Sequence, residues 1–163
     1  LIILYYMKSI KIPVHGLVEI PELCMKIIDT PEFQRLRFLK QCGFVDYVYP
    51  VATHTRLEHS IGTCYLAGLL AKRLQEVHPE HKITSSDILQ VQVCALVHDL
   101  GHGPFSHSFE RFIEKINSKK KIQIHFNHEE MSKELFKVLI NKSSFIAFCF
   151  SQFYFGIFLF IIS

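Results

Sequence analysis

An apolar run that ends in a histidine and an aspartate constrains this chain more than any other feature. Ile88, Leu89, Val91, Val93, Ala95, Leu96 and Val97 leave hardly any polar face, so a helix here belongs inside a core. Thr84 followed by Asp87 opens it with capping-box spacing, and the run leads straight into His98-Asp99-Leu100-Gly101-His102-Gly103-Pro104, where two glycines and a proline stop it. An ionised Asp99 at the end of a buried helix is costly unless a cation faces it. A divalent metal supplies that charge, and His with carboxylate suits Mn, Fe, Zn or Mg. A hydrogen-bonded structural His-Asp pair is the alternative that these two residues alone leave open.

Other histidines add weight to the metal. His59 stands in an earlier segment, His54-Thr-Arg56-Leu-Glu58-His59-Ser60, and His102 and His107 flank Gly103-Pro104-Phe105-Ser106. Glycines in such a turn let backbone and imidazoles approach a charged ligand, and Arg56 can grip a phosphate with two parallel hydrogen bonds. His15, His78 and His81 read as packed side chains without chemistry.

The remaining pattern is helical, so the expected class is all-α with a short N-terminal β-ribbon. Lys8 to Glu19, broken by Pro13 and Gly16, reads as two small strands. Helices follow over Pro21 to Ile28, from Thr30-Pro31 to about Gln41, and from Thr55 (with Glu58 completing a capping box) through Leu74. Further helices are expected near Ser106 to Ile116 and from Asn127 through Ile140, with Lys119-Lys120-Lys121 in a solvated loop between them.

The net charge of +3 is too mild to announce nucleic-acid binding by itself. Five cysteines at 24, 42, 64, 94 and 149 include no C-x-x-C pair, and their odd number argues against a closed disulfide framework. A reducing, intracellular compartment, nucleus or cytoplasm, is therefore expected rather than secretion; Leu1-Ile2-Ile3-Leu4 lacks the basic flank and cleavage site of a signal peptide.

Arg56-Leu57-Glu58-His59-Ser60, followed about forty residues later by His98-Asp99-Leu100-Gly101-His102-Gly103-Pro104-Phe105-Ser106-His107, resembles the HD-domain superfamily, specifically the sterile-alpha-motif and HD-domain dNTP triphosphohydrolases. The likeness runs from about Lys8 to Asn141 and includes Ile28 to Arg37 and Phe126-Asn127-His128-Glu129. It implies a partial HD-domain helical core in which His59, His98 and Asp99 bind a divalent metal (Fe, Mn, Mg or Zn). It also implies that Arg56, His102 and His128 lie near the triphosphate, that His107 is the acid for the leaving oxygen, and that Glu110 is the carboxylate beside it. Gln41 and Cys42 match sugar-contacting positions, and Lys8, Asp29, Gln34 and Arg37 match a guanine-nucleotide activator site that takes GTP or dGTP. Without the resemblance, Asp29 and Gln34 read as ordinary polar groups at helix ends.

The implied reaction is dGTPase-like: a dNTP is cleaved to deoxynucleoside and triphosphate by a homo-oligomer, a tetramer in the family. A non-catalytic module binding nucleotides or single-stranded nucleic acid is the alternative, as is another HD phosphohydrolase. Three stretches are expected: a leader over 1–7, the HD part over 8–141, and an apolar, Phe-rich segment over 142–163 outside the family. That last segment reads either as a mistranslated stretch or as a tail anchor of roughly the 18 residues a membrane span needs, and a membrane is the less expected partner. The family's fourth metal ligand is an aspartate from a later helix, and no Asp or Glu follows Glu134, so a truncated form is expected. Lys11-Ile12 replaces the family's Asn-Asp before Pro13, and Val51 a customary glycine.

Overall fold

The computed structural model describes residues 6–121 and 123–151. The ribbon is an antiparallel hairpin of β1 (Met7–Ile12) and β2 (Gly16–Pro21), with Met7 opposite Pro21 and Ile12 opposite Gly16. Its turn lies at Pro13 to His15, and Gly16 takes a φ of +70°, a conformation that suits a residue without a Cβ. Ile12, Val18 and Ile20 point into the core.

Seven α-helices follow among the described residues: α1 (Glu22–Ile28), α2 (Pro31–Gln34), α3 (Arg56–Val77), α4 (Ser85–Val97), α5 (His107–Lys120), α6 (His128–Lys142) and α7 (Ser144–Ser151). Both expected capping boxes form. Glu58 accepts from Thr55 N–H at 3.2 Å to start α3, and Asp87 accepts from Thr84 N–H at 2.8 Å to start α4. Asn127 caps α6 by accepting from the N–H groups of Glu129 and Glu130.

The helix expected over Thr30 to Gln41 is shorter than its periodicity suggests. After α2 the chain tightens into a 3₁₀ turn over Arg35–Phe38, and Leu39 is extended. Leu39 O accepts from Arg56 N–H at 2.8 Å, and Lys40 pairs with Thr55, so the backbone there is spent on the start of α3. The basic run also departs from expectation. Lys119 and Lys120 form the last turn of α5, where positive side chains complement the carbonyl end of a helix.

α3 and α4 are antiparallel, and their register positions the site. Thr63 donates to Ala95 O at 2.9 Å, and Gly68 lies against Gln92 closely enough that a Cβ would stand 2.4 Å from Gln92 Nε2. One turn earlier in α3 and one turn later in α4, the same register sets His59 opposite His98. The core between these helices, the hairpin and α1 contains Leu23, Cys24, Ile27, Ile61, Cys64, Leu89, Val93 and Leu96. Four of the five cysteines are buried and all are free thiols, with only Cys42 exposed, consistent with small apolar packing groups.

The described part of the Phe-rich segment, α7, packs Ile146, Cys149 and Phe150 into this core beside α1 and α6. No described helix is long and apolar enough to cross a membrane. Residues 1–5 and 152–163, on which most of the leader and most of the apolar segment fall, lie outside the described residues.

Candidate metal centre and histidine cluster

At the C-terminal end of α4 the helix delivers His98 and Asp99 to a turn held on two sides. Arg35 donates to the carbonyls of Leu100 and His102, the latter at 2.9 Å. From α6, the Ser132 hydroxyl accepts from Gly101 N–H at 2.7 Å and lies 2.7 Å from His98 O. Gly101 is needed there because a Cβ would stand 2.3 Å from both His128 O and Ser132 N.

The first group is His59, His98 and Asp99, whose ligating atoms lie within 4.8 Å of one another. His59 Nε2 and His98 Nε2 each stand 3.2 Å from Asp99 Oδ2, and the two rings meet edge to face at 5.3 Å. His98 Nδ1 is 2.8 Å from Ala95 O, which can only accept, so Nδ1 carries the proton and Nε2 turns a lone pair toward the carboxylate. Two electron-pair donors aimed at one point require a cation between them, whether a proton or a metal. Two imidazoles and a carboxylate, one imidazole oriented by a backbone carbonyl, fit a divalent ion.

Asp99 is almost fully enclosed, and burial alone raises a carboxyl pKa. The imidazoles of His102, His59 and His98 against the carboxylate outweigh it and hold Asp99 well below the usual carboxylate range. His98 is moved the other way: burial lowers it, and contact with Asp99 raises it further than burial lowers it. Arg56 is not free to reach out to a phosphate in the way its sequence context suggests. It is 1% exposed; Nη1 pairs with Asp99 Oδ2, and Nε donates to Ser106 Oγ at 2.8 Å.

The second group adjoins the first through Asp99. His102, buried, has Nε2 3.5 Å from Asp99 Oδ1, and its ring stacks on His128 at 4.0 Å and meets His107 edge-on at 4.7 Å. Glu110 gives one oxygen to each remaining histidine, to His107 Nδ1 at 2.9 Å and to His128 Nδ1 at 2.7 Å. Burial opposes ionisation of Glu110, but the bonds to His128 and His107 prevail and lower its pKa to about 2. With Nδ1 turned to a carboxylate, His107 and His128 are free to use Nε2 on a ligand.

The other expected residues lie in other elements and turns. Gln41 and Cys42 follow the Lys40–Thr55 pairing; Gln41 Oε1 is enclosed with no hydrogen-bond partner, and Cys42 Sγ is 3.8 Å from His54 Nε2. Lys8 pairs with Glu22 at 2.9 Å, Asp29 ends α1, and Gln34 donates to Ile28 O at 2.7 Å while accepting from Arg37. Among the described residues, no hydrogen bond or ion pair joins these four to the histidine groups.

Two expectations about histidines fail. His78 and His81 are not packed: they flank exposed Glu80 in the turn between α3 and α4, with His78 Nδ1 2.9 Å from Glu80, because that connection runs over the surface. His15 does pack, tilted against Tyr65 at 5.5 Å. Arg35, Ser106 and Ser132 shape the site in roles that the sequence did not reveal, since each acts largely on backbone atoms distant in the chain.

The HD domain family model matches residues 56–146. The chain is 50% identical over 138 residues to the deoxynucleoside triphosphate triphosphohydrolase SAMHD1 of Mus musculus, a stretch covering 84% of this chain and 20% of that protein. It is 49% identical over 138 residues to SAMHD1 of Homo sapiens, covering 84% and 21%. It is 43% identical over 134 residues to the SAMHD1 homolog of Dictyostelium discoideum, covering 82% and 25%. The chain thus spans about a fifth to a quarter of these relatives.

Proposed function

The chain belongs to the HD domain family, and from that premise we propose that it is the metal-binding part of a hydrolase that cleaves deoxynucleoside triphosphates to deoxynucleoside and inorganic triphosphate. The observation that carries this reading is the meeting of His59, His98 and Asp99 at one point, with a carboxylate-oriented histidine cluster beside it. Similarity to the deoxynucleoside triphosphate triphosphohydrolases SAMHD1 of Mus musculus and Homo sapiens supports the substrate class.

A bound divalent ion supplies Lewis acidity toward a phosphoryl oxygen and toward water. The two imidazole ligands favour Fe, Mn or Zn over Mg, which prefers oxygen donors. The chain's own residues do the rest. Arg56, fixed by Ser106, holds Asp99 in place and adds positive charge behind the phosphate. His107 is kept by Glu110 with Nε2 outward, where a protonated ring donates to the departing nucleoside oxygen. His102 and His128, stacked, line the path of the phosphates, and Gln41 Oε1 accepts from a sugar hydroxyl. Lys8, Asp29, Gln34 and Arg37 belong to a surface that takes a GTP or dGTP activator in a homo-oligomer working inside the cell, in nucleus or cytoplasm. Residues 8–141 form the HD part.

The test is to incubate the protein with dGTP and Mn²⁺ and separate the products. Equimolar deoxyguanosine and triphosphate support the reading; pyrophosphate or orthophosphate contradicts the reaction. Nucleotide binding with no turnover is the result that a non-catalytic module requires.

A further inference from the structure

The Ser132 hydroxyl is buried between two elements that carry different parts of the site. It accepts from Gly101 N–H at 2.7 Å, and its single proton has two acceptors in reach, His98 O at 2.7 Å and His128 O at 2.8 Å. His128 O already receives a helical N–H bond as part of α6. His98 O lies at the C-terminal end of α4, where carbonyls have no partner within the helix. The hydroxyl therefore closes the end of α4, and through Gly101 it also fixes the far side of the turn. No other described side chain bonds the backbone on both sides of Asp99 at once. Close approach of α6 depends on the glycine at 101, where a Cβ would meet the backbone of His128 and Ser132.

We propose that Ser132 is a positioning residue for the metal ligands: its hydroxyl ties the His98–Gly101 turn to α6 and so sets where His98 Nε2 and Asp99 Oδ2 meet, and where both lie relative to His128. This rests on the metal reading given above. Groups that orient first ligands through hydrogen bonds cost about 10- to 100-fold in metal affinity when removed. Ser132→Ala removes the hydroxyl; Ser132→Cys removes most of its hydrogen bonding at nearly constant volume. Leu139→Ala, further along α6 and fully buried, destabilises the same helix without touching the turn.

Co²⁺ titration of the full chain, followed by visible absorption, separates the outcomes, with circular dichroism confirming the fold of each variant. The inference expects both Ser132 variants to bind Co²⁺ at least ~10-fold more weakly and with an altered ligand-field spectrum, while Leu139→Ala binds like the wild type despite a lower melting temperature. Wild-type affinity in the Ser132 variants overturns it, and so does equal weakening in all three. If the wild type itself binds no Co²⁺, the metal reading fails and this inference with it; if it binds and Ser132 is indifferent, only the inference fails.

Discussion

Glu110 shows at single-residue scale how the site stores charge. Its carboxyl pKa is lowered from 4.5 to about 2 by two histidines, so the bonds it makes stabilise the fold fully above the unfolded value and are lost as acid protonates it. Glu110→Gln should therefore flatten the stability-versus-pH curve between about 4.5 and 2, read by urea midpoints at a series of pH values, and leave the curve above that window unchanged in shape. Arg56 makes a different prediction. Its guanidinium and Asp99 are both enclosed, so Arg56→Ala leaves a buried charge short of its partner and should cost about 3–5 kcal/mol in denaturant unfolding. A loss below about 1 kcal/mol would mean that solvent or a bound cation replaces the guanidinium at little cost. His107→Ala should lower kcat by about 10²- to 10⁴-fold while leaving Co²⁺ affinity unaltered, since its ring orients toward Glu110 and not toward the His59–His98–Asp99 point.

Two glycines at element scale have opposite tolerance. At Gly101 an added Cβ meets backbone atoms of α6, whereas at Gly68 it meets only side-chain atoms of Gln92. Gly101→Ala should thus destabilise by roughly 1–3 kcal/mol or more, and Gly68→Ala by far less, in paired thermal melts. The helices that carry the ligands were readable from sequence because their starts are local: Thr55 with Glu58 and Thr84 with Asp87 bond within four residues. The break after Gln34 was not readable, because what ends the helix is the demand of Arg56 N–H and Thr55 for the backbone at Leu39 and Lys40, a contact between segments distant in the chain. For the same reason the roles of Ser106 and Ser132 could not be read from the sequence. The burial of Arg56 was hidden too, since an arginine beside a histidine motif reads equally well as a phosphate ligand.

Over the whole molecule, the apolar surface is unevenly distributed. Phe38, Tyr47, Val48, Tyr49 and Val51 are exposed around one loop, and Leu66, Leu69, Leu70 and Leu74 along α3. Scattered apolar side chains are ordinary on a protein surface, but contiguous ones favour association. The expected outcome is a sedimentation coefficient that rises with protein concentration, and Leu70→Glu should reduce that rise. Everything functional, however, depends on the α3–α4 register that sets His59 across from His98 and Asp99. The most direct measurement is anomalous scattering from crystals grown with Zn²⁺ or Mn²⁺. A single peak bonded at about 2.0–2.2 Å to His59 Nε2, His98 Nε2 and an Asp99 oxygen is the predicted result. Density at that point with no anomalous signal, or a metal held elsewhere while these three side chains bond only to one another, would contradict it.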